Sequence, residues 1–63
     1  MTVSVIRQGL GYALAIGGLE FFTLEEVFNY AQSMDCREVR VCENNGRYVR
    51  SYYHCPMLDS WSA

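Results

Sequence analysis

Residues 23–53, TLEEVFNYAQSMDCREVRVCENNGRYVRSYY, decide the fold, because a capped amphipathic helix and a hairpin follow one another within them. Thr23 stands three residues before Glu26, the spacing of a capping box. Its hydroxyl is placed to accept from the Glu26 amide while the Glu26 carboxylate accepts from the Thr23 amide. Phe22 and Val27 occupy the two positions of a hydrophobic staple, and Glu25 and Glu26 lie where the helix dipole favours acids. From there Leu24, Val27, Phe28, Ala31 and Met34 recur at helical spacing, with Glu25, Asn29, Gln32 and Ser33 opposite. A one-sided stripe of this kind predicts a helix from Thr23 to about Met34 lying on a sheet.

After Asp35-Cys36, beta-branched alternation resumes on both sides of Asn44-Asn45-Gly46. Two registers compete. A two-residue Asn45-Gly46 turn sets Val41 against Arg50 and Val39 against Tyr52. A three-residue loop with Gly46 left-handed pairs Glu43 with Arg47, Val41 with Val49 and Val39 with Ser51. The second unites the valines on one face and sets opposite charges across from each other, and it is the expected register. Glu38, Arg40, Cys42, Tyr48, Arg50 and Tyr52 then share the other face.

Working back toward the N-terminus, Val3 and Val5 alternate within TVSVIR, compatible with a strand over residues 2–7, and Gln8-Gly9-Leu10-Gly11 breaks it with a turn. Tyr12, Leu14 and Ile16 alternate with Ala13 and Ala15, and a Gly17-Gly18 turn would pair Ile16 with Leu19 and Leu14 with Phe21. Leucine and alanine also allow a buried helical segment from Leu10 to Ile16, but glycines at both ends favour strand. In the other direction, residues 54–63 show one proline and no period, and read as an irregular tail. The expected architecture is a single α+β domain over residues 1–63. It comprises a small antiparallel sheet with one amphipathic helix packed on one face, in the order ββ-β-α-ββ.

A chain of 63 residues that is 51% apolar, with nine aromatic side chains, is too hydrophobic for a disordered tail and has few interior positions to offer. Part of its apolar surface is expected to meet a partner, either a larger protein or a second copy of the chain as a homodimer. Seven acidic residues against five arginines and no lysine give a net charge of -2, which argues against nucleic-acid attraction by the whole molecule. Four of those arginines nevertheless fall at 37, 40, 47 and 50, within the hairpin region. Three cysteines cannot all pair within one chain and lack a disulfide-scaffold spacing, so the expected setting is cytoplasmic. The apolar run Leu10–Leu19 is too short to span a membrane, and its central glycines and preceding valines are unlike a secretory leader.

Few residues offer chemistry. Cys36, Cys42, His54 and Cys55 are the soft metal ligands, but without a tight CxxC knuckle they read as separate thiols and a tail histidine, and no metal or other cofactor is expected. Cys42 faces away from the valines and is the candidate reactive thiol. Adjacent His54 and Cys55 make a poor nucleophilic pair, and Gly9-x-Gly11 lacks the strand before it and the helix after it that a phosphate loop needs. The expectation is therefore noncatalytic: a small adaptor or inhibitor that binds a larger protein through its hairpin face or a sheet edge. Tyr48, Arg50, Tyr52, Arg40 and Trp61 are the candidate contacts, being types that bury large areas while keeping a polar handle. The alternative is a nucleic-acid-binding regulator using Arg40, Arg50, Tyr48 and Tyr52 for phosphate contacts and stacking.

Overall fold

In the computed structural model, which describes residues 1–63, the capped segment is helix α1, Leu24–Ser33. Thr23 is its N-cap in an extended conformation (φ -132°, ψ 159°), and its hydroxyl accepts from the Glu26 amide at 3.2 Å. The reciprocal bond falls one residue earlier than the capping-box pattern predicts, because the Glu26 carboxylate accepts from the Phe22 amide at 2.7 Å. Nor does the staple close: Val27 is fully buried while the Phe22 ring stands in solvent. Thr23→Ala leaves an amide of the first turn without its acceptor and is expected to cost about 1 kcal/mol. A lowered midpoint in urea denaturation checks this.

Six strands build the sheet: β1 Thr2–Gln8, β2 Gly11–Leu14, β3 Glu20–Phe21, β4 Glu38–Cys42, β5 Tyr48–Cys55 and β6 Ser60–Ser62. Their order across it is β3-β2-β1-β4-β5-β6. The α+β class and the single helix match the expectation, but the sheet is mixed, because β1 and β4 pair in parallel at its centre. The chain runs up β1, down β2 and up β3, and α1 then carries it back along the sheet. β4 therefore starts at the same end as β1, and two strands that start together can only pair in parallel. The upper end of the sheet is where β1 finishes, α1 begins and residues 43–47 turn.

The core lies between α1 and the centre of the sheet. Val3 and Val5 of β1 sit across from Val39 and Val41 of β4, and Val27, Ala31 and Cys36 close over them. Only nine residues of the chain are buried, so each fully buried valine (Val5, Val27, Val39) carries a large share of the apolar stabilisation, about 1.5–3 kcal/mol each. Around this centre Phe28 stacks on Trp61 (centroids 4.7 Å apart) and meets Tyr52 edge-on (5.4 Å), while Phe21 tilts against Tyr30 (5.5 Å). These rings extend the core toward both edges of the sheet.

Three expectations about the strands are corrected. The first concerns the β4–β5 hairpin, which contains both competing registers. At its tip the three-residue loop forms: Gly46 is left-handed (φ 89°), the Glu43 amide donates to the Arg47 carbonyl, and Cys42 pairs with Tyr48. A bulge then shifts the register, so that Val41 pairs with Arg50 and Val39 with Tyr52. Val49 is the extra residue and is 37% exposed. The bulge is set from outside the hairpin. Tyr52 must turn toward α1 to meet Phe28, and a strand of period two can bring it there only by slipping one residue.

The second correction concerns the β2–β3 connection, where Gly17 and Gly18 do not form a two-residue turn. Both have positive φ (94° and 73°) inside a longer loop closed by the Leu14 amide donating to the Leu19 carbonyl at 2.8 Å. Tyr12 therefore pairs with Phe21, leaving Ile16 exposed instead of paired with Leu19. The third concerns residues 54–63, which are ordered and not an irregular tail. His54 and Cys55 finish β5, Pro56–Asp59 turn, and β6 pairs back with His54 opposite Trp61. No helix of the chain is long and apolar enough to cross a membrane.

Candidate functional site

The bulge distributes the expected contact residues over both faces of the sheet. Arg40 lies opposite Ser51 and Cys42 opposite Tyr48, on the face without the helix; Arg50 and Tyr52 lie opposite Val41 and Val39, on the helix side. The shared Arg/Tyr face expected from the valine-on-valine register is thus not formed. On the open face the Tyr48 hydroxyl bonds the Ser51 hydroxyl at 3.1 Å, and Arg40 stands 4.0 Å from Glu38. With Glu20 also on that face, opposite Ala13, its acids outnumber its one arginine. Trp61 is spent on packing against Phe28, and its indole Nε1 is buried without an acceptor.

Arg50 and Tyr52 are instead joined by two residues from the first hairpin. Val5 faces Val41 across the parallel pair, so the strand period puts Arg7 on the same helix-side face, and Arg7 pairs with Tyr12 across β1–β2. Arg7, Tyr12, Leu24, Val41, Val49, Arg50 and Tyr52 line one cleft of about 230 Å³ at the upper end of the sheet. Its apolar walls are the first residue of α1 and two valines, and its polar groups are two guanidinium groups and two phenols. The contacts between basic and acidic side chains are Arg40–Glu38 and His54–Asp59, so neither Arg7 nor Arg50 has a carboxylate partner. The acids of the first helical turn point elsewhere. Glu26 is held by the Phe22 amide, and Glu25 lines a separate hollow with Asn29 and Trp61.

Such a cleft can fix an anionic group, because a guanidinium presents a planar fork of donors that matches paired oxygens. Tyr52 is held in place by Phe28, and Tyr12 by its position between Arg7 and Phe21 in the sheet. The polar edge of the cleft is thus built on strands and not on loops. Arg7 and Tyr12 escaped the sequence reading, although a signal existed: Arg7 continues the phase of Val3 and Val5, so it was bound to share their face. What linked it to Arg50 was the parallel pairing of β1 with β4.

The soft ligands do not converge. Cys36 is buried in the core, Cys42 sits at the upper end of β4 and Cys55 ends β5, and no three His, Cys, Asp or Glu residues gather as a metal-binding group. Cys42 does face away from the valines, as expected, and is half-buried opposite Ile6 and Tyr48. His54 forms a local cluster in which Asp59 Oδ1 accepts from its Nε2 at 3.0 Å and from Gln32 Nε2 at 3.4 Å. This ties the β5–β6 turn to α1, and Asp59 takes the left-handed backbone (φ 49°) that an aspartate tolerates.

Those two hydrogen bonds, the one from His54 first, favour the ionised carboxylate and lower the pKa of Asp59. A group whose pKa falls on folding adds stability above its unfolded pKa of about 3.9 and loses that stability as pH drops through its folded value. The urea midpoint of the native chain is therefore expected to fall more steeply below about pH 4 than that of Asp59→Asn. Parallel curves for the two would show that the cluster contributes nothing.

Another hollow, of about 260 Å³, lies between β1, β2 and the end of α1 and is lined by Met1, Val3, Leu14, Ile16, Tyr30 and Met34 among others. It has no charged side chain to orient a ligand, which sets it apart from the arginine cleft. No protein-family model, no curated protein and no solved structure matches the chain.

Proposed function

We propose that this domain is a noncatalytic protein-binding module, an adaptor or inhibitor, which holds an acidic segment of a larger protein in the Arg7–Arg50 cleft. One observation carries the reading: two arginines without carboxylate partners share a cleft with two tyrosines and no acidic side chain. Two positive charges lining one cleft with no acid among them repel each other in the isolated fold, and an arriving anion relieves this. Tyr and Arg are also among the residue types that dominate the energetics of interface centres.

The sheet edge is a second place for a partner: β3 has two residues and β6 three, but β6 covers only Tyr53–Cys55, so the outer edge of Tyr48–Tyr52 is unpaired and long enough to take an added strand. A nucleic-acid strand needs phosphate contacts and stacking platforms along one surface, whereas Arg40 with Tyr48 and Arg50 with Tyr52 stand on opposite faces.

The test is capture from the native cell with the tagged chain, followed by titration of the purified partner. Arg7→Gln and Arg50→Gln should each weaken the complex tenfold or more, with affinity falling as salt is raised, while Arg40→Gln on the open face leaves it unchanged. A complex indifferent to Arg7 and Arg50 but lost with Arg40 would move the site to the other face.

A further inference from the structure

Granting that the cleft holds an acidic segment, we propose that the group it recognises is a phosphate monoester on a side chain of the partner, not a carboxylate. Charge and room favour the phosphate. Arg7 and Arg50 bring two positive charges to a single cleft of about 230 Å³, and nothing of opposite charge lines it. One carboxylate would neutralise one guanidinium and leave the other unpaired. Two carboxylates would have to desolvate side by side, repelling each other. A phosphate monoester carries about -1.5 to -2 at neutral pH on three acceptor oxygens of one group, so it answers both arginines at once.

The tyrosines support the same assignment. Tyr48 is the tyrosine whose hydroxyl is bonded within the chain, to Ser51, which leaves the hydroxyls of Tyr12 and Tyr52 free to donate. Tyr12 is paired with Arg7 across β1–β2 and Tyr52 lies two residues from Arg50 on β5, so each arginine has a hydroxyl donor beside it, and the valine and leucine walls receive the carbon stem that bears the phosphate. Glu43, just beyond the end of β4, is the acid nearest along the strand. One residue past the Ile6–Cys42 pair, it neither lines the cleft nor comes within ion-pair distance of an arginine, so both guanidinium groups keep their donors for a ligand.

The experiment is calorimetric titration of the full chain with N-acetyl-phosphoserine amide and N-acetyl-phosphotyrosine amide, against N-acetyl-glutamate amide and adenosine monophosphate. At pH 7.5 the better phosphoamino acid should bind at least tenfold tighter than the glutamate probe. That advantage should shrink toward pH 5, as the phosphate dianion takes up a proton near pH 6 and becomes a monoanion. Arg7→Gln and Arg50→Gln should each reduce affinity at least tenfold with the circular dichroism spectrum unchanged. In the unmodified protein, the probe should shift the NMR resonances of the Arg7 and Arg50 Nε–H groups.

Equal affinity for the glutamate and phosphate probes would overturn the phosphate assignment and leave the acidic-partner reading standing. Tighter binding of adenosine monophosphate would overturn the partner side chain as the source. No binding of either phosphoamino acid at millimolar concentration would also overturn the proposal, with the partner reading then decided by its own titration. Undiminished binding to the Arg7→Gln/Arg50→Gln double variant would remove the cleft from both.

Discussion

Val39→Ala is expected to destabilise the domain by about 2–3 kcal/mol, read as a loss in urea denaturation midpoint at unchanged slope. Val39 is fully buried at the centre of the sheet, flanked by Val3 on β1 and Tyr52 on β5 and packed in the cluster with Val27 and Ala31 of α1. Truncation removes two methylene equivalents, about 0.8 kcal/mol each, and leaves a cavity that strands on both sides keep from collapsing. A chain of 63 residues has roughly 3–9 kcal/mol of stability in all, so this one change takes a large fraction. Val49→Ala supplies the contrast. In the bulged hairpin Val49 is 37% exposed and its truncation should cost less than about 1 kcal/mol. Without the bulge Val49 would face Val41 inside the core and cost as much as Val39, so equal losses would refute the register.

Gly11→Ala is expected to cost about 1–3 kcal/mol for a different reason. A Cβ at Gly11 would lie 2.5 Å from the Phe21 carbonyl oxygen, a backbone atom that cannot swing aside as a side-chain tip would. The strain falls on β3, which is held to β2 by only two residue pairs, Tyr12–Phe21 and Ala13–Glu20. β3 should therefore part from β2 and loosen the Phe21–Tyr30 contact while the β1–β4 core stays formed. Hydrogen exchange distinguishes this local failure from global unfolding. The Leu14 amide, which donates to Leu19, should lose protection well before the amides of the β1–β4 pairing. Uniform loss across both would show instead that β3 folds as one unit with the core.

These two substitutions divide what was legible in the sequence from what was not. The cap at Thr23, the stripe along α1 as far as Ala31 and the left-handed Gly46 are each decided within a few residues and stand where the spacing puts them, whereas Met34, expected to end the stripe, is the C-cap and half exposed. The departures are of two kinds. Phe22 leaves its staple and Ile16 loses its partner in the longer 15–19 loop, both over short spans, whereas the apparently unpatterned residues 60–62 become a strand because β5 presents an edge to them. Alternation alone could not anticipate the slip at Val49, because a bulge lets the three-residue tip run into the register expected of the two-residue turn. Packing of Tyr52 against Phe28 chose between them.

The same division holds for the cleft. Arg50 and Tyr52 were visible as candidates, but the partners expected for them, Arg40 and Tyr48, lie on the other face. Their neighbours Arg7 and Tyr12 stand some forty residues away in the chain. By itself the sequence determined one helix with its cap, the tip of the hairpin and the class of the fold, because those depend on hydrogen bonds and periodicities that close over short spans. Tertiary structure decided the parallel junction of β1 with β4, the bulge, and so which arginines share a surface. A strand has two faces, and only what packs against it settles which one is turned inward.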